Sequence, residues 1–564
     1  MKNIYRIICL STFAGILFFQ ASTAQRVKGV TARNAMVVSA HPEASRVGVE
    51  IMKRGGNAVD AAVAVQFALA VVFPVAGNIG GGGFMVYRQA DGTCLTLDYR
   101  EKAPAAAFET MYQDSAGNVV QGLSVNGHLA SGVPGAVDGM VEAHKKAGTL
   151  PWRELVQPAV DLARNGVILT EKEASGLNNA KANFLKYNTH TPYLTREKPW
   201  QRGDTLFHPA LAATLERIRD QGREGFYGGL TADMLVREMQ TAKGIITHDD
   251  LKNYHAAWRE PMFGGYKGYK IISMPPPSSG GVALLQLLKM VEKADLRTWG
   301  WQQPNTVHWM AECERRVYAD RATHLGDPDF YKVPVADLLQ ENYLQQRLQT
   351  IDLQKATPSA DIKAGAFARH ESDQTTHFSI VDAQGNAVSI TTTLNGGYGS
   401  KVVVREAGFL LNNEMDDFSV KAGVPNIYGV IGGVANAIQP GKRMLSSMTP
   451  TIVERKGRLY MVVGTPGGST IITSVFQNIL NVLEHRMTMQ QAVSAKRFHH
   501  QWLPDAIVAE KDAFSPETRQ ALEAKGHKIT EVGGIGRVDA ILIRKKRKLE
   551  GGADPRGDDK AVGY

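Results

Sequence analysis

The chain has 564 residues, enough for one large hydrophobic core or for two domains. Hydrophobic residues make up 43% of it and charged residues 21%, an ordinary globular composition that excludes a disordered chain. The formal net charge of +9 is modest for this length, and because no nucleic-acid-binding module accompanies it, nucleic acid is not a predicted partner.

The first 24 residues have the three parts of a secretory signal. Lys2 and Arg6 supply positive charge, an apolar stretch covers residues 7–19, and small residues at 22–24 suit a signal peptidase. An uncleaved anchor is the alternative, but the apolar stretch is short for a spanning helix. We therefore expect an exported protein, periplasmic or secreted, with no membrane span once residues 1–24 are removed.

Cysteine content adds little to this picture. Cys9 lies inside the predicted signal, so the mature chain keeps only Cys94 and Cys313. Two cysteines are too few for a disulfide framework even in an oxidising compartment. One bridge between them is left open by the sequence.

The first half of the mature chain is mainly helical in pattern. Residues 58–72 are almost wholly apolar, but the stretch is only 15 residues long and carries Asp60 and Gln66, so it is a buried helix rather than a membrane span. Further amphipathic helices are predicted at 209–222, 281–294 and 303–322. The glycine run at 80–83 lacks the following helix of a dinucleotide fingerprint and indicates a close backbone approach instead.

A hairpin is predicted directly after a patternless segment at 352–374. Residues 376–382 and 387–394 are rich in β-branched and apolar residues, and 383–386 have turn chemistry. If Asp382 faces Ala387, Thr375 lies opposite Leu394; a one-residue bulge would place it opposite Thr393. Either pairing brings Thr393 near Thr375.

Strands become more frequent after the hairpin. Short strands are predicted at 408–411, 451–453, 459–463 and 540–543, with helices at 470–483 and from Pro516 to Gly526. Helices first and strands later favour α+β layers around one core rather than repeating βαβ units. Near the C-terminus, residues 544–548 read Arg-Lys-Lys-Arg-Lys, a run that can bind an acidic partner but is more often a solvated loop.

Thr375 is a candidate nucleophile because of where it lies. A threonine hydroxyl needs a base beside it, and the residue's own α-amino group, with a pKa of about 7.7–8.0, can serve. That amine exists only if the bond between Gln374 and Thr375 is cut. The alternative is that Thr375 and Thr376 simply begin a strand.

Common catalytic and metal signatures are absent from the sequence. It has no Gly-x-Ser-x-Gly elbow, no His-Glu-x-x-His and no Walker phosphate loop. His499 and His500 are too close together for a helical metal pair, so we expect them to be structural. No metal and no other cofactor is predicted.

Polar clusters interrupt the apolar second half. Gly467 and Gly468 stand between a strand and a helix, where free N–H groups can face an oxyanion, although a plain turn is the alternative. The carboxylates at 412–417 could bind an ammonium group, and Arg100 could bind a carboxylate. Taken singly, each of these charged groups is more often part of a surface ion pair.

Together these segments resemble the γ-glutamyltranspeptidases, or glutathione hydrolases. In chain order, the matching segments are GGNAVDA at 55–61, GGGGF at 80–84, LDYRE at 97–101, PPSSGG at 276–281, TTH at 375–377, NNEMDDF at 412–418, SSMTP at 446–450, GGS at 467–469, RFHHQ at 497–501 and DPR at 554–556. They cover essentially the whole mature chain in order.

The resemblance implies an N-terminal-nucleophile hydrolase of the α+β class, an αββα sandwich with two stacked antiparallel sheets between helix layers. It implies cleavage between Gln374 and Thr375 into a large chain (25–374) and a small chain (375–564) that stay together as a heterodimer. The substrates implied are glutathione or other γ-glutamyl compounds, with water or an amino acid or peptide as acceptor. The sequence does not decide whether hydrolysis or transfer dominates, which donor is physiological, or whether the heterodimers associate further.

The resemblance also implies site roles. Thr393 would orient Thr375, and the N–H groups of Gly467 and Gly468 would form the oxyanion hole. The implied substrate-binding residues are Arg100, Ser446 and Ser447 for the α-carboxylate, Asn395, Glu414 and Asp417 for the α-amino group, and Tyr428 as the lid aromatic. Two rivals are weighed: a glutaryl-cephalosporin acylase, disfavoured by the retained Glu414, Asp417 and Tyr428, and a non-catalytic binding protein on the same fold.

Overall fold

The computed structural model describes residues 29–362, 375–421, 423–424, 426, 429 and 432–564. The predicted signal at 1–24, the cleavage residue Gln374 and the lid residue Tyr428 lie outside the described residues. In chain order the strands are β1 (Val30–Ala32), β2 (Met36–Ser39), β3 (Gly82–Arg88), β4 (Cys94–Asp98), β5 (Val167–Ile168), β6 (Thr205–Leu206), β7 (Ala257–Arg259), β8 (Met262–Tyr266), β9 (Tyr269–Ser273), β10 (Thr376–Val381), β11 (Ala387–Thr393), β12 (Thr451–Arg455), β13 (Arg458–Gly464), β14 (Phe498–His499), β15 (Ile507–Glu510), β16 (Ile529–Val532), β17 (Asp539–Ile543), β18 (Leu549–Gly552) and β19 (Lys560–Gly563).

Helices occupy the rest of the regular structure. In chain order they are α1 (Pro42–Lys53), α2 (Ala58–Val72), α3 (Ala136–Ala147), α4 (Trp152–Asn165), α5 (Glu171–Tyr187), α6 (Pro209–Gln221), α7 (Glu224–Tyr227), α8 (Gly229–Thr241), α9 (His248–Lys252), α10 (Gly280–Val291), α11 (Leu296–Trp299), α12 (Pro304–His324), α13 (Val335–Leu338), α14 (Glu341–Gln349), α15 (Thr470–Leu483), α16 (Met489–Ser494) and α17 (Pro516–Ala524). Short 3₁₀ helices lie at His128–Ala130, Ser359–Asp361, Glu414–Asp417, Val434–Asn436 and Lys545–Arg547.

Two seven-stranded antiparallel sheets are stacked face to face. One has the order β19-β2-β10-β11-β3-β4-β7 and the other β1-β18-β17-β13-β12-β9-β8. Helices α1, α2, α4 and α6 cover the outer face of the first sheet, and α10, α12, α15 and α16 cover the outer face of the second. The predicted αββα sandwich of two antiparallel sheets between helix layers is therefore confirmed.

Strand β10 shows why both faces of each sheet are buried. Its alternate residues Phe378 and Ile380 face the helices, whereas His377 and Ser379 point toward the second sheet. The polar pair is satisfied there, because the His377 ring contacts the Thr391 hydroxyl at 2.9 Å and the Ser379 hydroxyl at 3.1 Å. Burial lowers the pKa of His377 to about 3, so this histidine is a neutral structural group.

The hairpin is present, but its register differs by one from the unbulged expectation. The ladder pairs Val381 with Ala387 and Thr376 with Thr392, so it places Thr375 beside Thr393 without a bulge. Asp382 leaves the ladder because its Oδ1 accepts hydrogen bonds from the backbone N–H groups of residues 384, 385 and 386. The turn is thereby one residue longer at its start than predicted.

Two other local predictions are confirmed. Helix α2 has the predicted bounds, and every one of its residues is buried. The glycine run at 80–83 does meet neighbouring backbone closely: a Cβ on Gly81 would lie 2.1 Å from the carbonyl oxygen of Thr393. A side chain there would push β11 and the active-site end of its hairpin away.

The strand predicted at 408–411 is wrong. Gly408 has a φ of 75° and lies in a turn, and Leu410 makes only an isolated bridge with Val403. A short apolar run is buried here by packing against helices without a neighbouring strand to pair with. In the part of the chain that the structure covers, no helix is both long and apolar enough to cross a bilayer.

Candidate active site

One cavity at an end of the stacked sheets is lined by most of the predicted site residues. The predicted residues around it are Arg100, Thr375, Thr393, Asn395, Glu414, Asp417, Ser446, Ser447 and Gly468. They come from six separate segments of the chain. The fold therefore brings together groups that the sequence could relate only by resemblance.

Thr375 lies immediately before β10, at the edge of this cavity. Thr375 is only 7% exposed, and its Oγ1 lies 3.4 Å from Oγ1 of Thr393 on the neighbouring strand. The Thr393 hydroxyl also accepts a hydrogen bond of 2.7 Å from the backbone N–H of Asn395. That bond fixes the Thr393 oxygen, so Thr393 can donate its proton to Thr375 and orient it.

The segment that leads into β3, with Asn78 and the glycine run at 80–83, contacts the backbone of Thr393. The Asn78 amide donates 2.9 Å to the Thr393 carbonyl, and Gly81 packs against the same carbonyl with no room for a side chain. The side-chain Oδ1 of Asn78 in turn accepts from the Gly81 N–H at 3.0 Å. The position of the candidate nucleophile's partner thus depends on strand β3 as well as on the hairpin.

Arg100 is the centre of a buried charge cluster. It follows β4 and is only 1% exposed, although taken singly it could have been a surface ion pair. Its Nη1 contacts Glu414 and its Nη2 donates 2.5 Å to Asp417. Glu414 and Asp417 begin and end a 3₁₀ helix, whose three residues per turn put both carboxylates on one side.

Without a substrate, the cation expected to bind the α-carboxylate, Arg100, therefore pairs with the carboxylates expected to bind the α-amino group, Glu414 and Asp417. Burial alone would lower the pKa of Arg100, but Glu414, Asp417 and Glu101 together raise it above its ordinary value. For Glu414 and Asp417, burial raises the pKa and the Arg100 guanidinium opposes that rise. One arginine is thus shared by more than one carboxyl group.

Glu101 is the third carboxyl group beside Arg100, 3.6 Å from its Nη1. It is fully buried, neither of its oxygens has a hydrogen-bond partner among the described residues, and burial raises its pKa to about 8. A raised acid pKa means that the folded protein holds a proton which the unfolded chain releases above about pH 4.5. Protonated Glu101 therefore contributes to the free energy of unfolding at low pH, and this contribution is lost as the pH rises through about 8.

Replacing Glu101 by glutamine is expected to remove this pH dependence. The amide is neutral at every pH, so the unfolding temperature of Glu101→Gln should rise relative to that of the parent from about pH 4.5 to about pH 8 and stay level above that. Thermal unfolding across this range measures the difference. The exposed Glu260 supplies the control, since Glu260→Gln should follow the parent throughout; a constant difference for Glu101→Gln would contradict the assignment.

Ser446 and Ser447 line the same cavity as Thr375. The Ser446 backbone is fixed on both sides, because its N–H donates 3.0 Å to Pro277 and its carbonyl accepts 2.7 Å from the N–H of Ser279. Its hydroxyl accepts from the N–H of Met448 at 3.1 Å. The hydroxyl proton of Ser446 is therefore available for a ligand oxygen.

Arg321 is a site residue that the sequence analysis missed. It lies on α12, lines the cavity, and donates 2.9 Å from Nη2 to the Ser447 hydroxyl and 2.9 Å from Nε to the Ser279 hydroxyl. It adds a second cation near Asp417, whose pKa it lowers after the larger effects of burial and Arg100. Arg321 is one of several charged residues in a helical sequence, and nothing in that sequence distinguishes it from the other arginines of the helix.

Two asparagines that the sequence analysis also missed surround Asp417. The Asn426 amide donates 3.1 Å to Asp417 Oδ1, and the Asn436 amide donates 2.7 Å to the Asp417 carbonyl. Asn395, which was predicted, lines the same cavity with a φ of 70° and donates 3.0 Å to the Asn413 carbonyl. The 3₁₀ segment that carries both carboxylates is therefore held by amides from several loops.

The two glycines after β13 differ in position. Gly468 lines the cavity, whereas Gly467 does not, and both have positive φ values, of 135° and 52° for Gly467 and Gly468. The Gly467 carbonyl accepts from Thr470 as α15 begins, which closes the turn. The oxyanion role of the two N–H groups stays a prediction.

No histidine in the described part of the chain lines the cavity. His499 contacts Thr473 and Gln501 at 2.9 Å each and the Ser469 hydroxyl at 3.3 Å, and burial lowers the pKa of His499 to about 3 and that of His500 to about 4. Neutral, buried rings fit the structural role that was predicted for this pair. Among the described residues, one group of side chains could hold a metal: His308, Glu312 and His527. Glu312 is already paired with two arginines of α12, which disfavours a cation there.

Comparison with known proteins points to one family. A family model described as gamma-glutamyltranspeptidase matches residues 44–564. The glutathione hydrolase proenzyme of Escherichia coli K12 is 46% identical over 538 residues, covering 95% of this chain and 93% of the relative, and that of Pseudomonas aeruginosa is 49% identical over 525 residues, covering 91% of each. The solved cephalosporin acylase of Bacillus halodurans matches with a TM-score of 0.84 at 27% identity, covering 97% of this chain and 99% of that one.

Proposed function

The chain belongs to the gamma-glutamyltranspeptidase family, and we propose that it is an exported enzyme that transfers the γ-glutamyl group of glutathione or related compounds to water, amino acids or peptides. The observation that carries this proposal is the meeting of Thr375, Thr393, Arg100, Glu414 and Asp417 around one cavity. The signal at 1–24 is the basis for export, to a periplasm or out of the cell.

We propose that the chain first cuts itself. The Thr375 hydroxyl attacks the carbonyl carbon of Gln374, the acyl group moves from nitrogen to oxygen, and water hydrolyses the resulting ester. The products are a large chain of residues 25–374 that ends in the Gln374 carboxylate and a small chain of residues 375–564 with a free amine. Relatives named as proenzymes support this step, and the interleaved strands of both chains keep them together.

The freed amine is then the general base. It takes the proton of the Thr375 hydroxyl while the oxygen attacks the γ-amide carbon of the donor, and Thr393 holds the hydroxyl in place. The N–H groups of Gly467 and Gly468 are proposed to bind the oxyanion of the tetrahedral intermediate. The leaving amine receives the proton, and water or an acceptor amine later resolves the γ-glutamyl ester by the same route.

Donor recognition is proposed to be an exchange of ion pairs. In the empty site Arg100 pairs with Glu414 and Asp417. A glutamyl group brings its own carboxylate to Arg100, Ser446 and Ser447, and its own ammonium to Asn395, Glu414 and Asp417. Each buried charge changes partner without losing one, which removes most of the desolvation cost.

The glutaryl rival differs at this step. A glutaryl group carries the carboxylate but no ammonium, so binding it would take Arg100 from Glu414 and Asp417, leaving the buried Glu414 without a cation and Asp417 with only Arg321 nearby. The retained carboxylates therefore favour a γ-glutamyl donor. The higher identity to glutathione hydrolase proenzymes than to the cephalosporin acylase favours it as well.

The direct test uses a chromogenic γ-glutamyl anilide. We expect release of the chromophore by the purified, cleaved protein and faster release when glycylglycine is added as an acceptor. The same assay with a glutaryl anilide should show much slower release. Activity on the glutaryl anilide alone would overturn the proposal in favour of the acylase.

Asp417→Asn is expected to separate the two donors. Loss of one charged hydrogen bond to the ammonium, about 1.5–3 kcal/mol, should lower kcat/KM for the γ-glutamyl anilide by about 10- to 150-fold. For the glutaryl anilide kcat/KM should not fall, because the variant lacks a buried carboxylate that would otherwise lose its ion pair with Arg100. Asp416→Asn is the matched control: Asp416 is buried beside it but accepts from Ser124 and does not line the cavity, so the ratio of the two activities should stay near that of the parent. Equal losses on both anilides would contradict the assigned role.

A further inference from the structure

A second cavity, of about 510 Å³, opens at the opposite end of the sheets from Thr375. It is lined by the last residue of β10, the hairpin turn, and the first residues of β13, whereas Thr375 precedes β10 and Gly468 follows β13. Since a strand rises about 3.3 Å per residue, the six residues of β10 put this cavity about 20 Å from Thr375. We call it the basic cleft.

The charged side chains that line the basic cleft are all positive. Eight basic side chains line it, and in the described part of the chain no aspartate or glutamate does. Two of the eight are neutralised from outside the lining: Arg88 donates 2.6 Å to Glu454, and Arg544 donates 2.5 Å to Glu550. Among the described residues, no salt bridge neutralises the other six, which are Arg33, Arg455, Arg458, Lys545, Lys546 and Arg547.

Hydrogen bonds from two arginines help to fix the shape of the basic cleft. Arg88 is 3% exposed, and its Nη2 donates 3.1 Å to the Gly457 carbonyl, which anchors the turn between β12 and β13. Arg547 donates 3.0 Å to the Ala383 carbonyl and so ties the basic turn to the β10–β11 hairpin. Lys546 and Arg547 have φ values of 57° and 55°, which L residues rarely adopt and which are often retained where the backbone serves a ligand.

Six uncompensated cations that converge on one concave site repel one another. A bound anion removes this repulsion, and arginine forks with lysine ammonium groups suit phosphate oxygens. None of the large apolar side chains that the described chain exposes lines the cleft, which disfavours insertion into a lipid surface. Of the described residues that line it, Tyr460 is the only aromatic, so they offer no row of rings on which bases could stack.

We propose that the basic cleft binds a compact, soluble polyanion with several phosphate groups, at a site separate from the active-site cavity. Such a ligand would span the β12–β13 turn on one wall and residues 544–548 on the other. It would not contact Thr375 or the charge cluster around Arg100. The basic run near the C-terminus is then one wall of a binding site rather than a solvated loop.

Inorganic tripolyphosphate is the probe for the test. Titration calorimetry of the cleaved protein, at about 150 mM salt to suppress loose attraction, should show saturable binding of one equivalent. The variant Arg458→Gln with Lys545→Gln removes one cation from each wall, and neither side chain makes a hydrogen bond or salt bridge among the described residues. We expect it to raise Kd at least about tenfold.

A matched control removes the same charge elsewhere. Lys511 and Lys528 are exposed, lie near β15 and β16, and do not line the cleft; the variant Lys511→Gln with Lys528→Gln should bind as the parent does. Both double variants should hydrolyse the γ-glutamyl anilide at the parental rate, which shows that they are folded.

Three results would overturn the proposal. They are no saturable binding of tripolyphosphate, equal loss of binding in the control variant, and unchanged binding in the cleft variant. Binding of vesicles that contain phosphatidylglycerol and binding of a short single-stranded oligonucleotide are measured in parallel. Cleft-dependent binding of either one without tripolyphosphate binding would assign the site to a membrane surface or to nucleic acid instead.

Discussion

Replacing Thr375 by valine is expected to leave a single uncut chain and to lower kcat/KM for a γ-glutamyl anilide by about 10⁴-fold or more. Valine keeps the β-branched shape and the strand propensity of threonine, so β10 should still form beside β11. It removes the oxygen that would attack Gln374 and, after cleavage, the donor. A denaturing gel, N-terminal sequencing of any fragment and release of the chromophore measure the three consequences.

The neighbouring residue provides a control of the same chemistry. Thr376 is fully buried and its hydroxyl has no hydrogen-bond partner among the described residues, so Thr376→Val removes an identical group one position away. We expect this variant to cut itself and to stay active. Thr375→Ser, which keeps a hydroxyl, should also cut itself. If the parent protein runs uncut, with no fragment that begins at Thr375, the self-cleavage mechanism and the amine base both fail, and the non-catalytic binding protein becomes the better interpretation.

Local patterns predicted the elements that surround Thr375 well. Helix α2 is buried on every side, so its composition alone identified it, and alternation with turn residues identified the β10–β11 hairpin. The register was open by one residue because it depends on whether Asp382 joins the ladder or caps the turn with its side chain. That choice is made by hydrogen bonds within the turn, which the apolar pattern does not record.

Contacts between distant segments were beyond sequence reasoning. A run such as 408–411 reads as a strand whether or not a partner strand lies beside it, and here the turn at Gly408 excludes one. Arg321 lies among charged residues of a mostly buried helix, and only the fold shows that it reaches Ser447. Resemblance gave Arg100 and Asp417 separate roles, but their direct contact in the empty site follows from three-dimensional packing alone.

That contact leads to the second large expected effect, on folding. Arg100→Gln leaves Glu101, Glu414 and Asp417 buried around a site that has lost its central cation, so we expect the free energy of unfolding to fall by about 3–5 kcal/mol. The loss should be smaller near pH 5 than near pH 8, because carboxyl groups with raised pKa values take up protons as the pH falls. Urea unfolding in a Thr375→Val background measures this effect on uniformly uncut chains.

A compensating change separates folding from substrate binding. Adding Glu414→Gln to Arg100→Gln removes a carboxylate together with its cation, so the double variant should recover about 1–3 kcal/mol of the lost stability. With Thr375 intact, neither variant should hydrolyse the γ-glutamyl anilide at a useful rate, because nothing replaces the guanidinium that reads the α-carboxylate. If Arg100→Gln alone is as stable as its parent, the carboxylates do not depend on Arg100, and an exchange of ion pairs cannot explain how the site distinguishes a glutamyl from a glutaryl group. If both variants are destabilised equally, Glu414 is not the group that Arg100 compensates, and Asp417 takes that place.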